Sequence, residues 1–427
     1  MTTKRWFCFI TMVAVAVLLL SACKSKKSRI SSDGEQKDSG GVVYDDTVIY
    51  VKDHDTAYRD GFVLYPQPIY DKHVMQIRLF DTTTRTDIPY CFRPECEHKP
   101  PTYDENGQPI GEVCTSYNLS NNTCFLLGEN IYSFSFPCLY RFDRRGENVK
   151  TICELDMPQP IIWQTVYSKT DMYLFFYYDC EYEQTIDSGG HTIWLPGKRR
   201  EDHITGILHV SLVDGSYEDI TPKSDCKYRD VLNFRVEDAG LFFYYCDTDE
   251  DEMVTLNMET DSERYAWRAK HQCHTVYYYD AKKKDTLAIL SKKGTFDYSF
   301  GDGFIVEKEG TGGIERQITI LNLDGTQITE LDEDKQYTTF VNSDKDLIYA
   351  YYIPETMEYT YCLFNIATGQ VEQQVTTPMS FELDAAVGNS YYGLDFATPL
   401  GRASAFFWIS KEDFWKGKLD QLVYLTK

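Results

Sequence analysis

The residues with the most chemistry in this 427-residue chain lie between 90 and 114, in "YCFRPECEHKPPTYDENGQPIGEVC". Three thiols, Cys91, Cys96 and Cys114, and one imidazole, His98, share this short segment. Three sulfurs and one ring nitrogen are a complete donor set for tetrahedral zinc, and Cys96 and His98 point the same way if the chain between them is extended. Zinc held by all four keeps no position for water, so such a site is structural and not catalytic. The CxxxxCxHx15C spacing is not that of a standard zinc finger, and the same residues allow a disulfide, Cys91 or Cys96 with Cys114, or free thiols. Pro94, Pro100, Pro101, Gly107, Pro109 and Gly111 leave the segment little apolar surface of its own. Something must hold it, and either cross-link would.

Other candidate chemistry is weaker. Asp247, Asp249 and Asp251 alternate as in a calcium loop, but Glu252 stands where glycine is needed and Met258 where a bidentate glutamate is needed. An acidic, solvated loop is the expectation there. "GTGGIE", residues 310–315, lacks the lysine and helix of a phosphate loop and reads as a hairpin. His271 and His274 flank Cys273, yet their spacing does not put them on one side of a strand. The chain has 66 acidic residues, so carboxylate pairs carry no information about glycoside hydrolysis. GxSxG and HExxH are absent. No catalytic residue is assigned, and nothing compels an enzymatic reading.

The elements that must position these groups repeat. A turn residue followed by an aromatic or β-branched run recurs as "DGFVLY", "ENIYSF", "TDMYLFFYY", "AGLFFYY", "DGFIVE", "KDLIYAYY" and "GNSYYGLDF". Anchored on Gly61, Asn130, Asp171, Gly240, Gly303, Asp346 and Asn389, the spacings are 69, 41, 69, 63, 43 and 43. The short spacings match a four-stranded propeller blade. The long ones carry insertions near 91–117, 181–205 and 247–270. Second runs such as "LHVSLVDGSYEDI" and "ITILNLDGTQITEL" break at Asp-Gly, the mark of a hairpin. Continuous runs such as "YLFFYY" suit strands covered on both faces, as stacked blades provide, and the 33 Tyr and 24 Phe supply packing area. The expected fold is an all-β seven-bladed β-propeller over 42–427, with six or eight blades as alternatives. No Trp-Asp dipeptide and no recurrent Gly-Gly pair place it with the WD or kelch repeats.

At the other end of the chain is an address. "MTTKRWFCFITMVAVAVLLLSAC" has basic residues, an apolar core too short to span comfortably, then Leu20-Ser21-Ala22-Cys23. The last four residues resemble a bacterial lipobox, which implies a signal peptide over 1–22 and a lipid on Cys23. Residues 23–41 then form a polar tether that cannot bury enough surface to order itself. Lys24, Lys26, Lys27 and Arg29 lie where anionic headgroups would be, each worth about 1 kcal/mol there. The formal net charge is -23 although the tether is basic, so the domain beyond it repels nucleic acid.

The lipobox, the tether, the repeated strands and the early "C…PECEH…C" segment together resemble propeller-bearing lipoproteins of Gram-positive anaerobes, distantly similar to TolB-type propellers. That resemblance implies a location on the extracytoplasmic face of the cell membrane and transfers no catalytic residue. Eleven cysteines follow Cys23, an odd number for a disulfide framework. Cys124, Cys138, Cys153, Cys246 and Cys362 sit in strand-like runs and are expected as buried free thiols. The reading is a surface-tethered, non-enzymatic binding or scaffolding protein, its partner a peptide, a glycan or an envelope protein. The alternative is an envelope enzyme, a glycan-active hydrolase or lyase with its site on the axial face.

Overall fold

The computed structural model describes residues 50–424, apart from 53–55, 60–61, 70–73, 82–83, 92, 94, 106–109, 112, 119–122, 128–129, 144–147, 238, 312–314, 332–334, 344–345, 379–380 and 396–404. These described residues belong to one unit, Tyr44–Lys427. The lipobox, Cys23 and the tether lie outside the described residues.

Among the described residues, seven sheets of four or five strands, antiparallel apart from one short edge, follow one another along the chain. The first runs through Tyr50–Lys52, Thr56–Arg59, Phe62–Ile69, Val74–Asp81 and Thr86–Pro89, and the second through Thr123–Leu127, Asn130–Ser135, Cys138–Asp143 and Lys150–Glu154. Ile161–Tyr167, Asp171–Tyr177, Gly206–Ser211 and Tyr217–Asp219 make the third. Tyr228–Glu237, Gly240–Thr248, Gln272–Asp280 and Asp285–Lys293 make the fourth, to which His203–Ile204 adds a short parallel edge. The fifth spans Phe296–Glu330, the sixth Gln336–Thr377 and the seventh Phe381–Tyr424, each with four strands. From the second sheet to the seventh, each turn residue on which the sequence repeat was anchored stands at, or just before, the strand that follows the first tight turn of its sheet; in the first sheet the corresponding run, Phe62–Ile69, is the third of five strands.

Burial follows that order. Asp171–Tyr177 and Gly240–Thr248 are buried almost throughout, while the outermost strands, such as Gln370–Thr377, are mostly exposed. Rings from neighbouring sheets cover the inner strands on both faces, which is why those strands are continuously apolar. Phe175 of the third sheet stacks on Phe234 of the fourth at 4.4 Å between centroids. Phe80 of the first sheet lies 6.4 Å from Tyr392 and 6.2 Å from Trp408 of the seventh. The first and last sheets therefore pack on each other, and the fold is a β-propeller.

A polar latch joins the third and fourth sheets. His209 Nε2 is 2.7 Å from Asp171 Oδ1, and its Nδ1 is 3.0 Å from the Tyr279 hydroxyl and 3.3 Å from Glu218 Oε1. Tyr279, on the fourth sheet, also donates to Glu218 at 2.6 Å. The His209 side chain is 5% exposed.

Because each sheet runs up and down, its connections alternate between two ends. The connection after the first of four strands is two or three residues long, as at Ser168–Thr170 or Asp302–Gly303. At the opposite end lie the three long connections, residues 90–122, 178–205 and 249–271. The second of these is not a plain loop, since Cys180–Ile186 and Thr192–Arg199 pair as a separate hairpin. The third contains the helix Asp261–His271, started by a capping box in which Thr260 and Glu263 satisfy each other's backbone N–H groups. All three insertions thus decorate one end of the propeller.

Candidate metal centre

Residues 90–122 leave the last strand of the first sheet and return to the second sheet at the decorated end. Tyr90 is tied back by donating from its backbone to Ile77 O at 2.9 Å, and a turn follows in which Cys96 N donates to Arg93 O at 3.1 Å. A single helical turn, Thr115–Asn118, begins directly after Cys114. Cys91, Cys114 and Tyr117 form a small buried cluster against which Cys96 and Val113 pack. This cluster takes the place of the apolar surface that the segment lacks.

All four candidate ligands converge. One donor atom from each of Cys91, Cys96, His98 and Cys114 lies within 4.8 Å of the others, and this group can hold a metal ion. Cys114 Sγ is 3.6 Å from His98 Nδ1. The sequence expectation aligned Cys96 with His98 through an extended chain, but the geometry is different. His98 has φ +53°, a left-handed conformation that a residue with a Cβ adopts rarely, and this bend delivers its ring to the sulfurs. The three thiols are free.

One residue that sequence reasoning passed over completes the surroundings. Arg93 points a guanidinium nitrogen at Cys96 Sγ, 3.7 Å away, and donates from the same atom to Val113 O at 3.1 Å. Burial opposes ionisation of Cys91, but hydrogen bonds from the Arg93 backbone and side chain, with Cys114 and Cys96, outweigh it and bring the thiol down to about 7. Burial also acts on Cys114, against the Ser116 hydroxyl at 3.1 Å, and together with the charge at Cys91 it pushes this thiol up to about 12. A cation that replaces the Cys114 proton removes that cost, which is how a thiolate-rich cluster couples metal binding to proton release.

The other candidates are not brought together. Asp247 accepts from Arg229 Nε at 2.6 Å, and Asp249 faces His271 Nδ1 at 2.6 Å, so neither shares a calcium cradle with Asp251 among the described residues. His274 is buried inside its sheet, whereas Cys273 lies towards Ser291. Thr311 pairs with Glu315 across two antiparallel strands of the fifth sheet. Cys153, Cys246 and Cys362 are buried thiols as expected, and Cys138 is half-buried.

No family model matches the chain, and no curated protein matches it. Among solved structures it is similar to Porphyromonas gingivalis dipeptidyl peptidase 4, 9% identical over 82% of this chain and 50% of that one, with a TM-score of 0.47. It is also similar to an oligogalacturonate lyase from Vibrio parahaemolyticus, 13% identical over 88% and 87% of the two chains, TM-score 0.42. A third likeness is to BamB from Moraxella catarrhalis, 9% identical over 85% and 93%, TM-score 0.37. The chain spans about half the length of the peptidase that it matches. These are likenesses of fold and carry nothing about activity or ligand.

Proposed function

We propose that this chain is a lipid-anchored binding protein of the extracytoplasmic membrane face, which recognises its partner through the decorated end of the propeller. One observation carries the reading: three insertions of different build, a loop that gathers three thiols and an imidazole, a hairpin and a capped helix, all rise from the same end, while the connections after each first strand are minimal. Binding surfaces gather on loops held by a rigid scaffold. The lipobox and the basic tether support the location, and Cys23 is the residue that carries the lipid.

In this reading zinc occupies Cys91, Cys96, His98 and Cys114 as a staple. Sulfur-rich donor sets suit zinc and not the hard, oxygen-seeking cations. A disulfide would use two sulfurs and leave unexplained why the backbone bends at His98 to deliver an imidazole to the third. Four protein ligands close the shell, so the metal shapes the loop and carries out no reaction.

Hydrogen–deuterium exchange of the full chain with detergent-solubilised envelope from its host tests the reading. Protection confined to 90–122, 178–205 and 249–271 is expected; protection at the opposite end alone, or turnover of envelope glycans, refutes it. Elemental analysis under reducing conditions is expected to find one zinc per chain, lost in His98→Ala. An intact-mass deficit of two hydrogen atoms without reductant, and no metal, assigns a disulfide instead.

A further inference from the structure

A cavity of about 310 Å³ opens between the fourth and fifth sheets at the decorated end. Its walls come from the first two strands of the fifth sheet, from three strands of the fourth, and from the helix Asp261–His271. The helix approaches closely because residue 310 is glycine: a Cβ there would stand 3.0 Å from the Tyr265 ring and 3.2 Å from Thr295 Oγ1. Tyr265 and Phe296 give the cavity an aromatic side.

Its polar side is largely neutralised in place. Asp297 accepts from the Tyr244 hydroxyl at 2.8 Å and from Lys308 Nζ at 3.5 Å. Asp230 lies 2.7 Å from His203 Nε2 and accepts from Thr205 Oγ1 at 2.9 Å. His274 is 3% exposed, and burial keeps its imidazole uncharged by lowering it to about 4. A cationic ligand seeking Asp230 or Asp297 would have to displace one of these partners. A ligand with many hydroxyls would add hydrogen bonds to groups already held in fixed directions, because a carboxylate has about four acceptor sites.

Size and field narrow the class further. At roughly 30 Å³ per water the cavity holds about ten waters, the bulk of a ring compound with about a dozen heavy atoms. The chain's charge of -23 disfavours the approach of an anion such as a phosphate or an acidic sugar. Rings that are apolar on one face and hydroxylated at the rim match a site with one aromatic and one polar side.

We propose that this cavity binds a neutral, hydroxyl-rich ring, either a single sugar or one unit of a longer glycan, between Phe296 and Asp297. The inference names a ligand class for the decorated end and so rests on the reading of that end as the recognition surface.

Saturation-transfer NMR and calorimetry on the full chain test it, with glucose, galactose, mannose and N-acetylglucosamine as probes at up to about 10 mM, where a millimolar Kd is readable. At least one is expected to bind, and Phe296→Ala and Asp297→Asn are each expected to weaken it about tenfold or more. Gly310→Val, which crowds the Tyr265 roof, is expected to weaken it too. Unfolding midpoints of the three variants check that each remains folded. The proposal is overturned if none of the sugars binds the unaltered chain, if binding is indifferent to Phe296→Ala and Gly310→Val in folded protein, or if glycine or inorganic phosphate takes the cavity instead. Envelope protection at the decorated end without sugar binding overturns this ligand class alone. Absence of that protection overturns the reading beneath it.

Discussion

Replacing His209 by alanine is the sharpest test of how the third and fourth sheets are joined. Asp171 Oδ1 is 2.7 Å from His209 Nε2 and its side chain is 12% exposed, so the substitution strands a carboxylate where water cannot fully replace the imidazole. The Tyr279 hydroxyl loses a partner at 3.0 Å, and the Tyr173 ring loses a stacking neighbour at 5.3 Å. Removing one member of a buried pair costs about 3–5 kcal/mol, which includes the orphaned charge. Asp171 makes the effect depend on pH. Burial alone would raise its pKa, but hydrogen bonds from His209, Thr170 and Ser168 outweigh burial and hold the carboxyl below its ordinary range. Its stabilising contribution is therefore fully present above the unfolded-state value near ~3.9 and is lost as pH falls through the lower folded value. Urea unfolding of unaltered protein and His209→Ala should differ by about 3–5 kcal/mol at neutral pH, and the gap should shrink in acid. In an Asp171→Asn background the same substitution should cost less, with a coupling of about 0.5–3 kcal/mol. A loss below about 1 kcal/mol, or a coupling below about 0.5 kcal/mol, would show that the latch is incidental to the packing around it.

Three further outcomes are expected. Arg93→Ala should leave zinc stoichiometry intact while lowering affinity about 10–100-fold in a competition titration, because its guanidinium sits against Cys96 Sγ and would offset the surplus negative charge of three thiolates on one dication. Gly240→Ala should lower stability by about 1–3 kcal/mol by denaturation, since the new Cβ would lie 1.9 Å from Tyr279 O, a backbone atom that cannot turn aside. Thr260→Ala removes the side-chain half of the capping box and should cost the helix Asp261–His271 about 1 kcal/mol; faster amide exchange in that helix with an unchanged global midpoint is the result that checks it.

Much of the architecture was legible because its information is local. A tight turn followed by an aromatic run is a property of eight or so consecutive residues, and runs such as Asp171–Tyr177 and Gly240–Thr248 became buried strands inside their sheets. The helix Asp261–His271 was not read from the sequence, although its capping box stands there in Thr260-Asp-Ser-Glu263. The grouping of Cys91, Cys96, His98 and Cys114 was legible as a set of residues but not as a geometry. Nothing in "CEH" announces that His98 turns left-handed, or that Arg93 folds back against the sulfurs.

What the sequence carries by itself is therefore the acidic balance, the repeat and the grouping of three thiols with one imidazole, since each is written in neighbouring residues or in composition. Only the tertiary structure decided which end of the propeller is decorated, that His209 joins Asp171, 38 residues away, to Tyr279, 70 residues away, and that Asp230, Phe296 and Lys308 face one cavity. The reason is physical. Contacts within a strand or a turn obey the periodicity of the backbone, whereas contacts between sheets depend on how successive blades stack, and that stacking is set by the sum of many weak ring and aliphatic contacts that no short pattern encodes.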